Sequence, residues 1–316
     1  MLRTFILLIP VVFSSFDVWG AVLNKNGTPL PEVTRIFEKF TPDLGPTPSL
    51  AELNKIAQKD FLRPAKTERL SKKAIEHYKA LCSPLSLQDQ NEIIDDFRKI
   101  GDIEAVYPLY SKPNYILIQG STISSLRERI MFLASLVETE KIALLPESKI
   151  VFLMGDRDLF DYETKAVLLN PAPFKERAVW QKPEKLPANE CDLGELAWEQ
   201  LDLPSPLREK TPIFVRAAKK PDAPRAQTED TVREFLEKNN LPKKSRFLVI
   251  SGNPFVYYQK KVTELMFKKL GYSNKGFSFE SVGDGADVNK YNKCIAIGML
   301  MDNLARTLYT ETKFIE

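Results

Sequence analysis

The chain has 316 residues, 43% hydrophobic and 28% charged, values of an ordinary globular protein able to bury one large core or two smaller ones. Lys and Arg number 45 against 42 Asp and Glu, and a net charge of +3 is too small to argue for nucleic acid or an acidic membrane surface as partner. A single histidine, His77, excludes two-histidine zinc sites and the HExxH helix, and the cysteines Cys82, Cys191 and Cys294 stand far apart without CxxC spacing.

Met1 to Ser15 carries one basic residue and then an apolar run, Phe5 to Phe13. That run is roughly nine residues long, whereas a bilayer needs about 20. Val18 and Gly20 are small enough to flank a cleavage site, so residues 1–20 read as a signal peptide and the mature protein is expected in the periplasm or outside the cell. No cysteine follows for lipid attachment, and no later segment is long and apolar enough to span. Two of the cysteines can pair in such a compartment. Their low and odd number predicts that disulfides do not hold this fold together.

From Ala21 to about Pro48 the chain is rich in Pro, Gly, Thr and Asn, with one apolar patch at Ile36–Phe40, and reads as a loosely structured lead-in. Leu50 to Ile103 is polar and helical, with turns at Pro64 and Pro84, and predicts about three helices and no strand. His77 falls there, as an ordinary helix-face residue. The texture changes at Tyr115. Tyr115–Gln119 is a short apolar run, and the stripe Leu126, Ile130, Leu133 and Val137 predicts the helix after it, starting at Thr122 or Ser125. Lys149–Met154 predicts a second strand. Pro146, Pro171, Pro173, Pro183 and Pro187 then bracket a long irregular insertion. A helix over 190–200, a strand over 212–216, a helix over 228–239, a strand over 246–250, a helix over 255–270, a strand over 277–282 and a helix over 289–310 follow.

Uniformly apolar strands alternating with amphipathic helices predict a parallel sheet covered on both faces. Right-handed crossovers make it doubly wound. The expected organisation is a signal peptide (1–20), a proline-containing lead-in and helical region (21–110), and a Rossmann-like α/β domain of about five strands (111–316).

Ligands of an open parallel sheet bind outside the carboxyl ends of its strands. The turns predicted at that edge are Gly120-Ser121-Thr122, Gly155-Asp156-Arg157, Arg225 with Thr228-Glu229-Asp230-Thr231, Ser251-Gly252-Asn253 and Gly283-Asp284-Gly285. Glycines let backbone approach a ligand, and helix N-termini present free N–H groups to an anion. Arg127 and Arg129 project about 200° apart, and Arg129 is the one nearer the buried stripe, so Arg127 is expected at the surface. Arg129, Arg157 and Arg225 suit a phosphate or carboxylate. Asp156, Glu190 and Asp230 could hold a divalent ion or act as a base, and Thr228 and Asp230 are candidate ligand contacts, though Thr228 could equally be only an N-cap. There is no GxGxxG and no GxxxxGK[ST], so neither a dinucleotide fingerprint nor a P-loop is present, and no cofactor is named.

These same residues resemble the YdcF-like, SanA-like family of bacterial envelope-associated proteins, over about Tyr115 to Gly285. The matching elements, in order, are Ile118-Gln-Gly-Ser121, Leu126-Arg-Glu-Arg129, Met154-Gly-Asp156, Glu190, Gln227-Thr-Glu-Asp-Thr231 and Ile250-Ser251. The resemblance implies a Rossmann-like fold and a role in the cell envelope. The family usually carries a His and an Arg after the fourth strand, where this chain has Gly252-Asn-Pro-Phe-Val-Tyr-Tyr-Gln259, a departure that marks a distinct subgroup.

Two functions compete. In the first, an exported protein binds an anionic small molecule, and hydrolyses or transfers a group on it, with Arg129 and Arg157 on the anion, Asp156 or Glu190 as base or metal ligand, and Ser251 and Asn253 orienting the substrate. Gly120, Ser121 and Gly155 would form the backbone of that pocket. In the second, the protein is a non-catalytic interaction protein whose partner surface is the helical region Leu50 to Ile103.

Overall fold

Four helices come first in the structure, a computed structural model that describes residues 21–109, 112–221 and 223–316. They are α1 (Pro31–Glu38), α2 (Leu50–Asp60), α3 (Lys72–Cys82) and α4 (Leu87–Lys99). The predicted signal peptide, residues 1–20, lies outside the described residues. Then β1 (Tyr115–Gln119), α5 (Ile123–Glu138), β2 (Lys149–Gly155), α6 (Lys165–Leu169), α7 (Glu190–Gln200), α8 (Ser205–Arg208), β3 (Ile213–Ala217) and α9 (Thr228–Lys238) follow in turn. β4 (Arg246–Gly252), α10 (Val256–Lys269), β5 (Ser278–Asp284) and α11 (Lys293–Ile315) complete the chain.

The five strands form one sheet in the order β3-β2-β1-β4-β5, parallel throughout, which is the doubly wound Rossmann-like arrangement. Leu117 of β1 stands opposite Val151 of β2 on one side and Val249 of β4 on the other. Every residue of β1 is buried, because alternate side chains enter cores on opposite faces. Ile116 and Ile118 join the core beneath α5 and α7, whereas Tyr115 and Leu117 join that beneath α9 and α10. Thr122 caps α5 by accepting from the Ser125 N–H at 3.5 Å, which settles the helix start. Val106 exchanges two backbone hydrogen bonds with Gly283 on β5, at 2.9 and 3.1 Å, and covers part of that edge strand.

A third core is built from the first helices and the last one. Val33, Ile36 and Phe37 of α1 are fully buried, so the patch at 36–40 starts within a packed helix. They share a cluster with Leu53 of α2, Phe97 of α4 and Ile297, Met301 and Leu304 of α11. The apolar faces of the first helices are therefore turned inward, onto the last helix. Cys82, ending α3, is disulfide-bonded to Cys294 at the start of α11, 212 residues away, so a disulfide does fasten this fold. Cys191 is a free, buried thiol. Among the described residues no helix is long and apolar enough to cross a membrane.

The bridge closes a long loop around the whole sheet and removes conformations from the unfolded chain. Replacing both Cys82 and Cys294 by Ala is expected to lower the unfolding free energy by about 2–4 kcal/mol. Chemical denaturation of the variant under non-reducing conditions checks this, and an unchanged midpoint would contradict it.

Candidate functional site

The strand order reverses direction between β1 and β4, and in open α/β sheets the crevice outside such a reversal is where ligands bind. A cavity of about 970 Å³ opens there. Its floor is the carboxyl edge of the sheet, and one wall is the segment from Glu68 to Ser71 ahead of α3. Of the residues expected at the site, Gly120, Ser121, Arg129, Gly155, Arg157, Glu190, Thr228 and Asn253 line the cavity. Arg225 lines it too, with Glu68 at 3.5 Å.

Asp156, Asp230 and Ser251 are not among the lining residues. Side chains alternate along an extended segment, so Gly155 and Arg157 face the cavity while Asp156 points away, its charge acting on Cys191 of α7. Asp230 accepts from the Gln227 N–H at 2.8 Å as the reciprocal cap of α9 and lies 3.2 Å from Lys220 Nζ. Ser251 is fully buried and hydrogen-bonds Gln259.

Arg157 is held at 2.8 Å by Glu163 and at 2.6 Å by Glu190. All three side chains are buried. Burial alone would lower the Arg157 pKa, but the hydrogen bond it donates to Glu163 and the charge of Glu190 overcome it and raise the value. At Glu190 burial prevails and holds the carboxyl above its ordinary range, because one cation is shared between two carboxylates. Glu163 also accepts from the Ile123 N–H at 2.9 Å, at the start of α5. Arg157 is thus fully engaged within the protein. Gly120 is required by the same group: a Cβ there would collide with Glu190 Oε1 and stand 2.8 Å from the Leu153 carbonyl.

The two arginines of α5 behave differently from their angular placement. Both are buried. Arg127 donates to the carbonyls of Val167 and Asn170, both at 3.0 Å, to that of Leu168 at 2.8 Å, and to Gln200 Oε1 at 2.6 Å. The insertion wraps around it, which is why it is not at the surface. Arg129 donates to the carbonyls of Gln119 at 2.6 Å and Gly120 at 2.9 Å, and its Nε has no partner. Burial pulls its pKa down to about 10, against the nearby charges of Asp284, Glu190 and Glu128.

Several lining groups carry little signal in the sequence. Arg69 lies in the helical region, far from any strand end, and only the fold brings it to the cavity. Its guanidinium rests 3.7 Å over the Phe255 ring, its Nε is buried without a partner, and it makes no salt bridge. Burial draws its pKa down to about 9, and Arg63 acts in the same direction. Gln119, ending β1, has an unpartnered Nε2. Asp284 has only its place in the turn after β5 to mark it. Burial raises its carboxyl, with Arg129 opposing. Among the described residues no group of three or more His, Cys, Asp or Glu is arranged to hold a metal.

In comparisons with known proteins, no family model, curated protein or solved structure matches this chain.

Removing the cation of a buried pair leaves uncompensated carboxylates, at roughly 3–5 kcal/mol. Arg157→Met is expected to destabilise the protein by about that amount at neutral pH. Glu190 then sits still further above its unfolded pKa, so the folded state takes up the proton first and the loss shrinks as pH falls through the raised folded value. Urea unfolding of both proteins across pH reads the difference, and a pH-independent loss would exclude this role.

Proposed function

We propose that this is an exported α/β protein whose strand-end cavity binds a small molecule bearing a phosphate or carboxylate. One observation carries the reading: of the five arginines lining the cavity, Arg69 and Arg129 have no carboxylate partner. A desolvated cation without a counterion is unfavourable, and an oxyanion entering beside it restores the balance. Arg157, paired twice, keeps the floor in shape instead of meeting the ligand. Asn253 lines the cavity with its Nδ2 donated to the Gly101 carbonyl at 3.0 Å and its Oδ1 free to accept. Glu190, Glu128 and Asp284, lining carboxyls raised by burial, are groups able to exchange a proton with what binds, and hydrolysis or transfer on the ligand is the further step of this reading.

Export rests on the character of residues 1–20 and is supported by the Cys82–Cys294 bridge, a bond that persists in oxidising compartments. Kinship with the YdcF-like, SanA-like proteins is part of the same proposal and rests on the order of the short motifs from Ile118 to Ser251.

Calorimetric titration with pyrophosphate tests the anion site. Arg69→Ala is expected to weaken binding by at least about tenfold, the effect of losing one charge-assisted contact. Equal affinity in the variant would remove Arg69 from the site.

A further inference from the structure

A cavity of about 970 Å³ is far larger than an inorganic anion needs, and its remaining polar groups describe the rest of the ligand. Two poles can be told apart. Arg69 and Arg225 stand on the wall made by the helical region and the turn before α9. Gln119 and Asp284 stand on the floor, at the ends of β1 and β5, with β4 between them. The Asp284 carboxylate leans across β4: a Cβ on Gly252 would come within 2.6 Å of its Oδ1. That carboxylate makes no salt bridge, and it can only accept when ionised. Gln119 Nε2, on a side chain 2% exposed, has hydrogens to donate and nothing to receive them. A carboxylate without a cation and an amide donor without an acceptor on one floor match a group that both donates and accepts, which is a hydroxyl. Elsewhere on the lining, Tyr162 stacks on Phe160 at 5.2 Å, and Phe160 lies 4.0 Å from the Arg157 guanidinium that the two carboxylates hold still. Tyr162 lines the cavity and remains half exposed, a flat face for a ring to lie against.

Building on the anion site proposed above, we infer that the ligand is a phosphate ester of a hydroxylated ring, its phosphate against Arg69 and its hydroxyls against Gln119 and Asp284. A hexose phosphate and a nucleoside phosphate share that chemistry.

The test compares ligands matched in phosphate charge on the full chain: inorganic phosphate with a hexose 1-phosphate, and pyrophosphate with a nucleoside diphosphate. At least one ester is expected to bind about tenfold more tightly than its inorganic counterpart, and the pair that shows the gain identifies the ring. Asp284→Ala and Gln119→Met should each abolish the gain and leave inorganic binding unchanged. Gln119 Nε2 has no partner to lose, so that variant keeps the fold if Asp284→Ala does not. Esters no tighter than their inorganic counterparts, or a gain that survives in both variants, would overturn the hydroxyl pole while leaving the anion site intact. Failure of every phosphate to bind would overturn the anion site itself.

Discussion

One buried guanidinium organises the edge of the sheet where the cavity opens. Arg157 leaves the end of β2 and holds Glu163 from the insertion and Glu190 from the start of α7. Glu163 in turn fixes the first turn of α5 through the Ile123 N–H. Glu190 lies against Gly120 so closely that no other residue type fits there without displacement. Three chain segments that diverge from neighbouring strands are thus held in register by a single cation. The arrangement keeps the floor in shape without reference to any ligand.

Neutralising Arg157 internally has a consequence for the rest of the cavity. The attractive charge is left to Arg69 and Arg129, the two lining arginines without carboxylates. They are held by different means, Arg129 by carbonyl oxygens of its own strand end and Arg69 by an aromatic ring. Neither contact cancels a full charge. The two guanidinium groups therefore remain without an ion pair in a chain whose overall charge is nearly balanced.

The central strands were legible because strands buried on both faces read as continuous apolar runs, and Tyr115–Gln119 and Lys149–Gly155 lie where those runs stand. The edge of the sheet was legible too, since strand ends fall at glycine turns. Which edge residue faces the cavity was harder to read. Asp156 and Arg157 are adjacent and chemically eligible, and only the pleat separates them. Arg127 points away from the stripe of α5 by helix geometry, yet the insertion supplies three oxygens and Gln200 of α7 a fourth to meet it. Arg69 could not be read at all, because its place at the cavity follows from how the helical region packs on α11. Ion pairs such as Arg157–Glu163 and stacked arginines such as Arg69 on Phe255 are products of tertiary contact, and no spacing rule encodes them.

The core that joins α1, α2 and α4 to α11 sets an order on the birth of the molecule. Residues 31–99 leave the ribosome early, but Phe37, Leu53 and Phe97 have no complete shelter until Ile297, Met301 and Leu304 arrive near the other end. The earlier helices are completed by a later one, and their apolar faces need protection until it arrives. Closure of Cys82 onto Cys294 records that the two ends have met.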